Sequence, residues 1–375
     1  MKRPSLSRLI LVAVLASLLL SACGGAPASS TSESPASVPV KEGSGVTVVD
    51  AMGRTVEFPQ PPQRIVVAGR SSLTIIDTLF LFPEARERVI GLVIGRQNPG
   101  AFLNLVDPSF EQKEVLEVEA GPEQIAPLHP DVVIMRSFMA ESLGGPVEQL
   151  DIPVVYVDLE TPEQYFRDLA TIGQLFGNSA RAEEIEAFYQ SGLGTVEDQL
   201  QDLGDEQKPL TLLLQYTEQG GEVALNVPSA SWLQTAEVEL AGGNPVWKDA
   251  AQGGGWTVVN FEEIAAWDPD KVFVISYGSD SAEVVDKLKS DSQWQALKAV
   301  QNGEIYGFAA DTFSWDQPDP RWILGVTWLA GKLHPDRFPD LNMMQEASEF
   351  FEQMYGLDES TIQEKILSSL KGDVE

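Results

Sequence analysis

The sequence predicts an α/β protein of two doubly wound lobes joined by a long helix, and three observations carry that expectation. First, the pattern Glu, any residue, Ile, Ala, three residues, Pro, Asp, any residue, Val occurs twice. It runs as Glu123, Ile125, Ala126, Pro130, Asp131, Val133 and again as Glu262, Ile264, Ala265, Pro269, Asp270, Val272. Each copy reads as a short helix, stopped by the Pro-Asp pair, that feeds an apolar strand, so one supersecondary unit is used in two halves. Second, short continuous apolar runs alternate with helical patterns in both halves, as in parallel sheets covered on both faces. Third, a helical period of apolar residues runs between the halves: Ala182, Ile185, Phe188, Val196, Leu200, Leu203. A duplicated α/β unit leaves a crevice between its halves, where small ligands usually bind.

Taken in order, residues 1–22 read as a removed leader. Lys2, Arg3 and Arg8 precede the apolar run 9–20, which is short for a membrane span of about 20 residues. Leu20, Ser21, Ala22 and Cys23 then resemble a lipoprotein cleavage site. Cys23 is the single cysteine, so it has no disulfide partner within the chain and is expected to carry a diacylglyceryl anchor at the cell membrane. Residues 23–45, rich in Ala, Ser, Pro, Gly and Thr, read as a flexible tether. The formal charge of −31 opposes binding to nucleic acid or bare anionic lipid and favours basic partner surfaces.

The N-terminal lobe, 46–160, opens with a strand at 46–49 and a turn through Asp50, Met52, Gly53 and Arg54. Pro59, Pro61 and Pro62 interrupt regular pairing before a first central strand at 64–68. Further strands are expected at 89–94, 132–135 and 154–157. Connecting helices occupy 161–208. Thr161, Pro162 and Gln164 start one that ends at Gly177 and Asn178, and a second runs from about 179 to 203 with a bend expected near Gly192 and Gly194. The C-terminal lobe, 209–357, has strands at 210–215, 271–276 and 304–308, then helices at 321–332 and 343–355; a tail follows at 358–375.

These features together resemble the siderophore and cobalamin class of ABC-transporter substrate-binding proteins. The resemblance spans about residues 46–357. It rests on Asp50, Gly53 and Arg54, on the strand at 64–67, on both repeats, on 328–335 and on 350–355. It implies the class III periplasmic binding fold, with two Rossmann-like lobes, and a monomer that hands a ligand to an ABC permease dimer driven by a cytoplasmic ATPase. No phosphate-binding loop is present in this chain. The resemblance further implies that Glu123 and Glu262, one per lobe, dock into Arg pockets of the two permease subunits. Pro122 at one helix start and Asn260 as N-cap of the other put both acids in a first turn, where the helix dipole favours their ionised form.

The cleft is expected at the C-terminal ends of the strands, where Arg70, Arg96 and Arg136 each follow one. The second half offers Tyr216, Trp256, Tyr277, Trp315 and Arg321. Guanidinium forks and aromatic faces together suit an anionic ferric siderophore. Trp256 and Trp315 stand where the family's cobalamin binders place aromatic contacts. Glu117 stands where such a binder has a Trp in its first lobe, which favours an iron chelate over a corrinoid. Haem, through Tyr216 or Tyr277, is a further alternative. No cofactor or directly bound metal is expected, because His129 and His334 are the only histidines and are far apart. An anchored hydrolase is the competing class, but no nucleophile elbow, paired-His helix or triad is present to support an enzyme.

Overall fold

The computed structural model describes residues 45–375 apart from 96 and 98; the leader, the tether, Cys23 and Arg96 lie outside the described residues. The chain opens with a hairpin, β1 (Val46–Val49) and β2 (Thr55–Phe58). Its turn explains the Asp50, Gly53, Arg54 signature. Asp50 Oδ1 accepts from the backbone N–H groups of Met52 and Arg54, both at 3.0 Å, and Gly53 takes φ +75°. Arg54 then donates to Asp50 at 2.8 Å and to Glu148 at 2.6 Å and lies over the Tyr156 ring, pinning the hairpin to the first lobe.

The first lobe contains β3 (Ile65–Val67), α1 (Leu73–Leu79), β4 (Val89–Val93), α2 (Gly100–Val106), β5 (Glu114–Leu116), α3 (Pro122–Ile125), β6 (Val132–Arg136) and β7 (Val154–Val157). The five central strands, β3 to β7, are parallel in the order β5-β4-β3-β6-β7. The chain thus starts in the middle, winds to one edge, returns and winds to the other, which puts a topological switch point between β3 and β6. Both faces of this sheet are covered, and β3, β6 and β7 are buried throughout, as their unbroken apolar runs require.

Two helices leave this lobe. In α4 (Pro162–Phe176), Thr161 caps the Gln164 N–H at 3.2 Å, Gln164 returns a contact to the Glu160 N–H, and Gly177 closes the helix in the left-handed region. The following α5 (Ser179–Leu200) is 22 residues long, about 33 Å at 1.5 Å per residue. It runs unbroken through both glycines and ends at Leu200. Gly192 has a packing role, since a Cβ there would lie 3.1 Å from Ile323, whereas a Cβ at Gly194 would meet nothing within 4 Å.

The second lobe contains β8 (Leu210–Gln219), β9 (Glu222–Val227), α6 (Leu233–Leu240), β10 (Asn244–Pro245), β11 (Thr257–Val259), α7 (Phe261–Trp267), β12 (Lys271–Ile275), α8 (Ser281–Ser290) and β13 (Ile305–Gly307). Its sheet runs β11-β9-β8-β12-β13, with β10 beside β8. The centre is parallel as expected, but β9 and β11 are antiparallel additions. β8 extends four residues past the expected end and turns back through Gly220 and Gly221, both at positive φ.

The two copies of the repeated pattern fold alike. Ile125 and Ile264 are both fully buried, and His129 and Asp268 both take left-handed conformations, φ +49° and +46°. Asp131 Oδ2 accepts from the Gln63 and Arg64 N–H groups, and Asp270 Oδ2 from the Leu210 N–H at 2.8 Å. Each aspartate thereby fixes the start of its lobe's central strand.

Finally, α9 (Trp322–Leu333) packs on α5, and α10 (Met343–Tyr355) crosses back to the first lobe, where Phe351 and Tyr355 meet Phe102 of α2 edge-on. The terminal segment buries Ile362, Ile366 and Leu367, and Trp328 donates to the Asp373 carbonyl at 2.8 Å, so the expected tail is part of the packed structure. Among the described residues no helix is long and apolar enough to cross a membrane.

The two α5 glycines give a test. Gly194→Ala is expected to raise the unfolding free energy by about 1 kcal/mol through helix propensity. Gly192→Ala should gain less, because its methyl presses on Ile323. Urea denaturation of both variants decides; equal gains would show that α5 is not packed closely on Ile323.

Candidate functional site

A cavity of about 550 Å³ lies between the lobes, and residues following every strand of the first lobe's sheet reach it. The loop after β3 supplies Gly69, Arg70, Ser71 and Ser72, and α1 then adds Leu73 and Thr74; the loop after β4 supplies Gln97 and that after β5 Val118. Arg136 and Phe138 follow from β6 and Glu160 from β7. The second lobe faces them with Trp232, Gln234, Trp256, Tyr277, Gln317 and Pro318. Arg70 and Arg136 flank the β3/β6 switch point, so the strand order brings two guanidinium groups to the crevice.

Of the expected cleft residues, Arg70, Arg136, Trp256 and Tyr277 are brought together in this cavity. Tyr216 lines an adjoining groove that shares Gln97 and Tyr277 with it. Trp315 and Arg321 are corrections: both are fully buried and neither lines the cavity. Arg321 is ion-paired with Asp77 of α1 and with Asp311, at 2.7 Å in the latter case, and Trp315 Nε1 donates to the same Asp311 at 2.8 Å. Four rings, Phe102, Phe313, Phe351 and Tyr355, surround the guanidinium at 4.4 to 5.9 Å. Burial opposes its charge, but Asp311 and Asp77 outweigh that and raise its pKa. Arg321 is therefore a structural cation.

The two cavity arginines differ in kind. Arg136 is buried, donates to Thr74 Oγ1 at 3.0 Å and is ion-paired with Glu160. Burial lowers it to about 10, so it stays protonated, and Glu160 cancels its charge. Arg70 is exposed, 6.0 Å from the Phe138 ring, and among the described residues it has no hydrogen bond or ion pair. It is the uncompensated cation of the described wall. Opposite stand Trp232, Trp256 and Tyr277, edge to face at 5.6 and 6.5 Å.

The phenols proposed as haem ligands are both occupied: Tyr277 donates to Asp316 at 2.6 Å and Tyr216 to Glu218 at 3.1 Å. Burial, reinforced by Asp316, pushes the Tyr277 phenol well above its usual range. His334 is buried against the Gly242 carbonyl and His129 forms the repeat's left-handed turn; both are structural. Among the described residues no group of His, Cys, Asp and Glu side chains is arranged to hold a metal.

Phe138, Trp232 and Glu160 line the cavity without having been expected there, whereas Gln317 belongs to the loop 313–321 expected at the cleft. Phe138 and Glu160 follow strand ends, so the rule that found Arg70 reaches them too. Trp232 precedes α6 and carries no such mark. Glu123 and Glu262 are exposed in the first turns of α3 and α7, the second above a capping box between Asn260 and Glu263.

Two α/β lobes linked by connecting helices, with the strand ends of one and the aromatic wall of the other facing a common cavity, define a solute-binding protein. The chain belongs to the family described as Periplasmic binding protein, which matches residues 107–312. It is 21% identical over 332 residues to the Molybdate-binding protein MolA of Haemophilus influenzae, covering 82% of this chain and 90% of the relative. It is 24% identical over 319 residues to the Iron-uptake system-binding protein of Bacillus subtilis, covering 83% and 92%. The solved structure of the TroA-like periplasmic binding protein FepB from Veillonella parvula superposes with a TM-score of 0.66 at 20% identity, covering 82% of this chain and 95% of that one. The fold is the class III periplasmic binding fold, and the protein is the extracytoplasmic solute-binding component of an ABC transporter, not an enzyme.

Behind the aromatic wall Glu237 is fully buried with neither carboxylate oxygen hydrogen-bonded among the described residues. Burial, then Asp316 and Asp319, raises its pKa well above 4.5. The folded state thus keeps a proton that the unfolded chain releases, so stability falls as pH rises above about 5. Glu237→Gln is expected to remove one proton's share of that slope, at most about 1.4 kcal/mol per pH unit. Urea unfolding between pH 5 and 8 measures it; an unchanged slope would mean Glu237 is ionised in the fold.

Proposed function

We propose that the protein captures a ferric siderophore between its lobes and delivers it to the permease. The observation that carries this reading is the pairing of an unopposed Arg70 with an aromatic wall across a cavity of about 550 Å³. That volume falls in the range of pockets for drug-sized organic ligands. A single tetrahedral oxyanion would leave most of it empty, which weighs for a chelate and against a bare metal oxide. One free guanidinium suits a ligand of modest negative charge, and Phe138 and Trp256 offer faces to its organic shell. The iron-uptake relative is consistent with this chemistry.

Cys23 serves as the lipid anchor in this reading, with the segment before the first lobe as its tether. Glu123 and Glu262, exposed on like helices in like surroundings, are the two contacts offered to the permease subunits.

Arg70→Gln is expected to weaken ferric siderophore binding about 10- to 100-fold, the loss of one charge-assisted hydrogen bond, with unchanged melting temperature because the side chain is exposed. Quenching of tryptophan fluorescence reads the affinity. Molybdate binding without ferric siderophore binding would overturn the proposal. Glu123→Gln combined with Glu262→Gln should leave that affinity intact while cutting cellular uptake of the labelled chelate; normal uptake would remove the docking role.

A further inference from the structure

A second, smaller chamber of about 240 Å³ adjoins the main cavity, and the reading above does not use it. The two share Gln97, Tyr277 and Gln317 as a common wall. The chamber lies at the C-terminal ends of β12 and β13, and its lining is mainly polar: Ser276, Ser279, Thr312, Ser314 and Lys371 line it beside Phe308 and Phe313.

Two features there lack partners. Gln317 is only 8% exposed, yet its Nε2 donates to nothing among the described residues. A buried donor left unpaired costs about 1–3 kcal/mol, and because Gln317 lines both cavities, a ligand acceptor reaching its amide would relieve that cost. Lys371 is exposed, and among the described residues its ammonium has no ion pair, although its backbone is fixed to Ala310 at 2.9 and 3.1 Å. Ser276 and Ser279 hydrogen-bond each other at 2.9 Å. One of those hydroxyl protons is therefore left to donate. The acid in the wall, Asp311, is already engaged by Arg321 and by Trp315, which limits its repulsion of an incoming anion.

A chamber of donors and one cation, joined to a cavity lined by aromatics and Arg70, fits a ligand with two unlike parts. We propose that the second chamber receives a carboxylate-bearing arm of the chelate, held by Lys371 and Gln317, while the metal-bearing head stays between Phe138 and Trp256. This rests on the reading of the cleft as a chelate site and narrows it to chelates with a free carboxylate beyond those that hold iron.

The test compares ferrichrome, a neutral trihydroxamate, with ferric aerobactin, a citrate-based chelate with free carboxylates, by tryptophan fluorescence on the full chain. Ferric aerobactin is expected to bind at least 10-fold more tightly. Lys371→Ala, at an exposed position that keeps its backbone pairing and lies outside the main cavity, should erase most of that advantage without changing ferrichrome affinity, and Gln317→Leu, which leaves no donor unpaired but also lines the main cavity, should lower the ratio of the two affinities by a similar factor. Equal binding of the two chelates, or variants that weaken both alike, would overturn the second chamber's role while leaving the cleft as a chelate site. Binding of neither would overturn the chelate reading and this inference with it.

Discussion

The arrangement of the lobes depends on one buried cation. Arg321 reaches from the loop before α9 to Asp77 in the middle of α1, and Tyr355 of α10 donates to the other oxygen of that aspartate at 2.8 Å. The same guanidinium holds Asp311, which also receives Trp315. A first-lobe helix, a second-lobe loop and the terminal helix are thus tied at a single dry point. Removing one member of such a network leaves an uncompensated buried charge, which costs far more than the intact pairs contribute. The consequence reaches the cleft directly, because α1 carries Leu73 and Thr74 on the cavity wall, and Thr74 receives Arg136. The cavity wall is thus braced by buried pairs one helical turn below its surface.

That bracing divides the labour among the charges. Arg136 and Glu160 neutralise one another in the wall, and Arg321 is spent on structure, so the described cleft presents little net charge despite three arginines nearby. In the proposed reading, selectivity in the main cavity comes from the single free guanidinium of Arg70, from ring faces and from shape, and the second chamber adds Lys371 and Gln317. A highly charged group would meet too few counter-charges between Phe138 and Trp256, whereas a metal centre whose charge is mostly cancelled by its own oxygen donors would meet about as many as it needs, any free carboxylate being left to Lys371 in the second chamber. The acidic surface reinforces this, since long-range fields repel small free anions from everywhere except such local positive points.

Much of this was legible in the sequence, for a physical reason: the repeated stretch encodes a complete local unit. Its Ile plugs the core, its left-handed residue turns the chain and its Asp clamps the next strand, so identical spacing had to give like structure. Strand ends located Arg70, Arg136 and Tyr277 because parallel sheets present those ends on one side. What stayed hidden depends on distant partners. Arg321 ends a polar loop whereas Arg70 follows a strand, yet both were expected at the cleft, and the pairing of Arg321 with Asp77, 244 positions away, is what separates a structural arginine from a cavity-lining one. Trp315 looked like a ligand contact until Asp311 claimed its indole. The β8–β9 hairpin did carry a signal, the Gly220-Gly221 pair, which the expectation of a purely parallel sheet concealed.

A crystal structure of the complex with a ferric siderophore tests the central claim most directly. The account predicts the iron chelate between Phe138 and Trp256, with Arg70 against its oxygen donors and Arg321 still paired with Asp77 and Asp311. A chelate seated elsewhere, or Arg321 drawn out of its buried pairs to reach the ligand, would contradict it.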